Sequence, residues 1–256
     1  MPEVVSMPMN KLKPRIVTTS WDDGDPADLR VAEVLHAHRL RGTFYVPLTG
    51  YRGWPTMAGG DLRAMTGDGF EIGAHGVSHR TLQGLPEAEI ESEVRDSKAA
   101  IEAMVGREVG VFCYPRGRYD SSVLKQVRAA GYRGARTTRL MATSLEFKPF
   151  EMPASLQVFP HTGWAYLRNM TKARSPRRIL RYLAMRGEGD WVELGKRLFD
   201  RVMNEGGVWH LFGHSWEIEQ RALWGGLEEL AEYVSGRPGV QYVTNGELLD
   251  FKKDGL

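Results

Sequence analysis

The stretch Ile16-Val17-Thr18-Thr19-Ser20-Trp21-Asp22-Asp23-Gly24 decides the fold and points at the chemistry. Its first five residues form a short β-rich run, and the run ends in two adjacent carboxylates and a glycine. Neighbouring carboxylates repel one another. Inside a fold they call for a cation, or for a division of roles between an ionised ligand and a proton acceptor. Taken alone the triplet is also an ordinary turn, because Asp and Gly suit turn geometry.

Working outward from this run, β-rich segments alternate with amphipathic ones to the end of the chain, the pattern of parallel strands joined by helices. The expected strands are Ile16–Ser20, Thr43–Val46, Phe70–Ala74, Val109–Tyr114, Tyr132–Ala135, Val208–Phe212 and Gln241–Val243. Seven such strands suggest an α/β barrel, closed or nearly so. Helices are expected over Pro26–Arg39, Pro86–Met104, Ser121–Ala130 and Leu223–Val234, several with Pro at the start or Gly just past the end. The 256 residues read as a single catalytic domain, with an extended N-terminal segment over 1–14 and a helix-rich insertion over about 137–204 that follows a loop with Pro149, Pro153 and Pro160.

Composition narrows the partners. Thirty-four Lys and Arg against 32 Asp and Glu leave a net charge of +2, too slight for nucleic-acid binding. The single cysteine, Cys113, excludes an intrachain disulfide framework. With no signal-peptide core and no apolar run of spanning length, the expected location is cytoplasmic, or peripheral at the inner membrane face.

Three further motifs follow strand ends. Glu71-Ile72-Gly73-Ala74-His75-Gly76-Val77-Ser78-His79 places two imidazoles four residues apart, able to meet on one ion such as zinc if the segment turns. Val111-Phe112-Cys113-Tyr114-Pro115-Arg116-Gly117 bends at Pro and Gly, a geometry that can aim a backbone N–H at a developing oxyanion. Trp209-His210-Leu211-Phe212-Gly213-His214-Ser215-Trp216-Glu217 puts His214 just beyond a strand and His210 deeper, as a satisfied core histidine. All four motifs fall at the C-terminal ends of strands, the face on which parallel barrels assemble active sites.

Taken in order, Ser20 to Gly24, His75 to His79, Phe112 to Gly117 and Leu211 to His214 resemble the polysaccharide deacetylases, the NodB-homology enzymes of carbohydrate esterase family 4. The resemblance covers nearly the whole chain. It implies a distorted (β/α)7-type barrel that removes an N-acetyl group from an amino-sugar glycan, glycolipid or sugar derivative, giving acetate and a free amine. Carried over, it makes Asp23, His75 and His79 the ligands of one divalent metal, zinc first, with Co, Ni or Mn as alternatives. Asp22 becomes the base and His214 the acid, and the backbone N–H of Arg116 helps to hold the oxyanion. Tyr114 and Trp216 are added as candidate substrate contacts, and His161 as a loop residue within reach of substrate.

The chain departs from the family pattern in three places. Gly76 stands where a Ser or Thr is usual. Cys113 occupies the position of an arginine that orients the base, and Arg136, after the next strand, is the candidate to supply that guanidinium. A fourth, Asp-Trp-containing motif is not found. Competing readings are an O-acetyl esterase, an allantoinase-like cyclic-amide hydrolase suggested by Trp216-Glu217, and a non-catalytic sugar- or metal-binding descendant.

One more segment bears on partners. Between Arg168 and Gly187 lie Arg168, Lys172, Arg174, Arg177, Arg178, Arg181 and Arg186 with no acidic residue. With Met170, Ile179, Leu180, Tyr182, Leu183 and Met185 interleaved, the segment reads as a basic amphipathic helix that could lie on anionic lipid or bind phosphate, or simply as a solvated face.

Overall fold

A computed structural model describes residues 13–50, 53–172, 175–185 and 190–251. The extended segment expected over residues 1–14 therefore lies almost wholly outside the described residues, as do Arg174 and Arg186.

Strand β1 (Arg15–Asp22) is the axis of the sheet, buried along its length after Arg15. On one side it pairs in parallel with β7 (Gly207–Gly213) from Arg15↔Gly207 to Trp21↔Gly213. On the other its second half pairs with β2 (Gly42–Val46), and its first three residues with β8 (Val240–Tyr242). Outward from β2 come β3 (Glu71–Ala74), β4 (Val111–Cys113) and β5 (Gly134–Arg136), all parallel. Beyond β7 lies β6 (Leu156–Gln157), so the strand order is β5-β4-β3-β2-β1-β7-β6. The chain entering β6 also touches the far edge, for Met152 bridges Arg136 and donates its N–H to the Ala135 carbonyl at 2.9 Å. That contact draws the two edges of the sheet together into a barrel.

The path has seven strands, the number expected, but its membership differs. Gln241–Val243 is the off-path strand β8, and β6 was unforeseen: two residues flanked by prolines carry no periodic signal. Thus within the stretch read as an insertion the chain re-enters the sheet. The same stretch supplies α5 (Gly163–Lys172), α6 (Pro176–Ala184) and α7 (Trp191–Glu205), the last packed against β6 and β7. Among the described residues no helix is long and apolar enough to cross a membrane.

Alternation along the strands sorts the side chains into two populations. Outward residues such as Val17, Trp21, Phe44 and Phe112 join a large core under the helices, among them α1 (Asp28–Ala37), α3 (Glu87–Val105) and α9 (Trp224–Val234). Inward residues Ile16, Tyr45, Val111, Cys113, Met152 and Val208 form a second core, with Leu248 and Leu249 of α10 (Asn245–Asp250) in the same cluster. Above Ile16 the inward face of β1 turns polar. Thr18 donates to Asn245 Oδ1 at 2.9 Å, and Ser20 meets His210 Nε2 at 2.8 Å. Asp22 is the next inward residue, at the C-terminal end. The barrel is apolar where it must be sealed and polar where it opens.

Helix α6 presents only part of the basic face expected: Arg177 is exposed, but two other arginines are turned inward. Arg178 donates to the Leu140 carbonyl at 3.3 Å, and Arg181 donates to the Met141 carbonyl and Thr143 Oγ1, both at 2.9 Å. Two of the arginines that made the segment look like a cationic face are thus turned onto the protein.

Candidate active site

Asp22 is still on the ladder, opposite Tyr45, whereas Asp23 leaves it with φ of 79° and Gly24 follows at 63°. This reversal lets adjacent carboxylates point to different places, at the cost of holding a non-glycine residue in the left-handed region. A Cβ on Gly24 would stand 2.9 Å from Val46 Cγ1, so the turn also needs the missing side chain. His79 likewise has φ of 54°.

Asp23 Oδ1 lies 3.0 Å from His79 Nε2 and 3.6 Å from His75 Nε2, and all three side chains are buried. Two ligands at zinc's usual bond lengths in a tetrahedron are separated by about 3.3 Å, so these spacings fit the edges of a metal site. His75 supports the same conclusion. Its Nδ1 faces the Cys113 carbonyl at 2.8 Å, and since a carbonyl only accepts, Nδ1 carries the proton and Nε2 keeps its lone pair. Burial pushes the His75 pKa down to about 4, leaving the imidazole neutral at pH 7. For Asp23, burial opposes ionisation, but His79 beside it and the charge of His214 hold its carboxyl well below the usual range. The donor set therefore fits a divalent cation.

Asp22 sits beside this group without joining it. Arg136 Nη2 is paired to Asp22 Oδ1, with the arginine fully buried and its guanidinium 4.5 Å from the centroid of Phe212. Burial alone would raise the Asp22 pKa, but Arg136 first, and His214 with it, lower it. Strand register explains why Arg136 can do this: Cys113 and Arg136 are cross-strand partners on β4 and β5. The guanidinium expected at Cys113 arrives from the adjoining strand at the same level. The Cys113 thiol, pushed up in pKa by burial, lies 3.7 Å from Asp22 Oδ2.

His214 stands opposite, its Nε2 3.8 Å from Asp22 Oδ2. Its Nδ1 pairs with Glu217 Oε2 at 2.7 Å, and Gln157 donates to the same oxygen at 3.0 Å. Gln157 Oε1 in turn is 2.9 Å from His161 Nε2. Burial would lower the His214 pKa, yet Glu217, Asp23 and Asp22 outweigh it and raise the value to about 9. His214 is thus a charged donor at neutral pH.

Trp216, on α8 (Ser215–Gln220), donates its indole N–H to Asp23 Oδ2 at 2.8 Å and packs edge-on against Trp54 at 5.4 Å between centroids. It contacts Asp23 directly, where the sequence suggested a substrate contact. Arg116 is exposed, with φ of 57°, in the 3-10 turn Pro115–Gly117. That turn adjoins the histidine loop, Pro115 Cγ being 3.9 Å from where a Cβ on Gly76 would stand. Tyr114 does not join the site: its ring stacks on Tyr119 at 4.5 Å and its hydroxyl donates to the Phe150 carbonyl at 3.1 Å. Its inclusion is corrected on that ground, since alternation along β4 turns it away from Cys113 and Asp22. His210 is the satisfied core histidine expected, held between Ser20 and the Pro153 carbonyl.

Two carboxylates escaped the sequence reading. Glu217 was seen only as a neighbour of Trp216, although an acid three residues after a histidine at a helix start is a natural pair. Glu93, on α3, gave no signal at all. Its Oε2 accepts from the N–H groups of Val77 and Ser78 at 2.8 and 3.0 Å, and its Oε1 from Ser78 Oγ at 2.5 Å. Arg80 Nε closes on Oε1 at 3.1 Å. Where Gly76 lacks a hydroxyl to steady the loop between the histidines, a buried carboxylate holds it from the side. Replacing Glu93 by Gln, which cannot accept at its amide nitrogen, is expected to weaken zinc binding by about 10- to 100-fold, as outer-shell substitutions do. Competition with a chromophoric chelator measures it; unchanged affinity would leave Glu93 only a packing role.

A cavity of about 710 Å³ lies at the opposite end of the strands, lined by Lys13, Thr143, Lys148, Arg181 and Gly207. It contains none of these groups.

Residues 9–135 match the family model for polysaccharide deacetylase. The peptidoglycan-N-acetylmuramic acid deacetylase PdaA of Bacillus subtilis is 24% identical over 128 residues, 49% of this chain and 47% of that protein. The chain spans about half the length of the curated relatives it matches. Among solved structures, a polysaccharide-deacetylase-like protein of Mycobacterium smegmatis superposes with a TM-score of 0.70 at 18% identity, covering 98% of this chain and 93% of the other. A family 4 acetyl xylan esterase of Clostridium thermocellum, in complex with cobalt, gives 0.60 at 17% identity, covering 93% and 92%. At such identities the structural likeness establishes the fold, a NodB-type barrel.

Proposed function

Because the chain belongs, through residues 9–135, to the polysaccharide deacetylase family, we propose that it is a metal-dependent hydrolase that removes the acetyl group from an N-acetylated amino sugar. The observation that carries this reading is that Asp22 and His214, 3.8 Å apart, stand beside the Asp23, His75 and His79 cluster. One group accepts a proton at neutral pH and the other is built to give one, which is what hydrolysis of an amide requires.

Asp23, His75 and His79 would hold the cation, zinc in the first place, and when bound it supplies Lewis acidity toward the acetyl carbonyl and the attacking water. Asp22, kept ionised and aimed by Arg136, takes the proton from the water as its oxygen adds to the acetyl carbon. His214, kept protonated by Glu217, delivers a proton to the sugar nitrogen as the C–N bond breaks, giving acetate and the free amine. The N–H at Arg116 is a candidate donor to the carbonyl oxygen. The indoles of Trp54 and Trp216, packed edge to face, offer a sugar ring an apolar wall.

An amide is favoured over an ester because an amine leaves only once protonated, and His214 is kept charged well above neutral pH. PdaA, whose name states amide chemistry, and the acetyl xylan esterase, whose name states ester chemistry, show that both occur on relatives. Acetate release should be compared for N-acetylglucosamine oligomers, acetylated xylan and allantoin, with chelator and metal re-addition. Release from the first alone, abolished by chelator, is expected. Turnover confined to acetylated xylan or allantoin would replace the reading.

The raised His214 pKa carries a signed prediction. A base whose folded pKa lies above its ordinary value of about 6.5 is fully protonated below that value and loses its proton as pH rises through the folded pKa, about 9. The alkaline limb of turnover should therefore move to lower pH in Glu217→Gln, which removes the carboxylate charge facing Nδ1. A limb at the same pH in both proteins would dissociate it from His214.

A further inference from the structure

The hairpin α5–α6 carries a surface unlike the rest of the molecule. On α6 two arginines and two leucines stand opposite to the order of a solvated helix: Arg178 and Arg181 donate to carbonyls of the protein, while Leu180 and Leu183 are 67% and 57% exposed. Trp164, in the first turn of α5, is 73% exposed. These are the three most exposed of the five large apolar side chains open to solvent among the described residues. The two helices run back along one another, with Tyr166 and Tyr182 stacked at 5.2 Å and the Ser175 N–H on the Met170 carbonyl. A Cβ on Gly163 would stand 3.1 Å from the Tyr182 hydroxyl, which brings their chain neighbours Trp164 and Leu183 to the same end of the hairpin.

Charge sets the second condition. No Asp or Glu occurs from Met152 through Gly187, and Arg168, Lys172 and Arg177 are exposed on this hairpin. The hairpin also begins beside the site: His161, just before α5, is joined through Gln157 to Glu217 and His214.

We propose that the α5–α6 hairpin docks the protein onto an anionic lipid surface, Trp164, Leu180 and Leu183 entering the headgroup layer while Arg168, Lys172 and Arg177 meet lipid phosphates. An apolar tip accompanied by cations and free of acids is complementary to a layer that is anionic outside and apolar beneath. A second copy of the same face would oppose cation to cation, which disfavours a symmetric dimer through it. An exposed tryptophan suits an interface at which one side is apolar and the other wet. The docking itself is independent of the deacetylase reading. Its consequence, a substrate sugar presented at a membrane surface, rests on that reading.

The test is sedimentation of the full chain with vesicles of phosphatidylcholine, with and without phosphatidylglycerol. Binding only to the anionic vesicles, reversed by salt, is expected. Each cation near such a surface contributes about fivefold in partitioning, so Arg168→Gln, Lys172→Gln and Arg177→Gln combined should weaken binding by about 100-fold. Leu180→Asp with Leu183→Asp should weaken it at least as far, while Leu29→Asp on α1 should leave it unchanged; unfolding midpoints equal to that of the parent confirm intact folds. Failure to bind either vesicle, binding indifferent to lipid charge, or a concentration-dependent dimer that the leucine changes dissolve would overturn the proposal. Acetate release from a soluble N-acetylglucosamine oligomer, measured alongside, separates loss of docking from failure of the deacetylase reading.

Discussion

Asp22→Asn is expected to lower turnover by about 10²- to 10⁴-fold, the range associated with loss of a positioned general base. The substitution keeps the shape of the side chain and removes its capacity to take a proton. It leaves Asp23, His75 and His79 in place, so zinc should still bind with an affinity close to that of the parent. Turnover and metal content measured on the same samples check both halves. Equal turnover in parent and variant would leave Asp22 no role as base, and lost metal would make it a ligand instead of a base.

Arg136→Met is expected to cost about 3–5 kcal/mol of folding stability, because it leaves the buried Asp22 carboxylate without its counter-charge. The arginine is completely buried, so water cannot replace it. With the Asp22 pKa lowered in the folded chain, its contribution is present above its ordinary value, about 3.9, and lost as pH falls through the folded value. The penalty of Arg136→Met should therefore shrink on acidification. Combining it with Asp22→Asn should recover much of the stability at neutral pH while activity stays absent, since both members of the pair are then uncharged. Urea denaturation of the four proteins gives the coupling energy. Additive losses would mean that the two groups do not form the pair seen here.

Much of this site was legible because its chemistry is local in sequence. The Asp-Asp-Gly and the His-x-x-x-His each follow a strand, and a parallel barrel brings strand ends to one face. The partner of Asp22 was legible only as a candidate. Arg136 is 114 residues away in sequence, and the register that sets it opposite Cys113 is a property of the assembled sheet. Glu93 was invisible for a related reason. It reaches the histidine loop from the middle of α3, and nothing in an amphipathic helix marks one of its acids as turned inward. Strand β6 escaped because two residues between prolines show no period, although they set Gln157 under Glu217. In α6 periodicity misled: it correctly indicated an amphipathic helix but could not tell that two arginines would be held by carbonyls and two leucines left outside. Alternation along β4, in contrast, could have set Tyr114 aside, since it and Cys113 are adjacent and so face opposite ways.

On the function proposed above, Asp23, His75 and His79 hold a metal on which amide hydrolysis by Asp22 and His214 depends. Acetate release from an N-acetylglucosamine oligomer by metal-depleted protein, titrated with zinc, tests it most directly. Activity absent without metal, restored in proportion to zinc and levelling at one ion per chain, is the expected result. Release that is undiminished by metal removal, or absent at every zinc level while the protein remains folded, would contradict it.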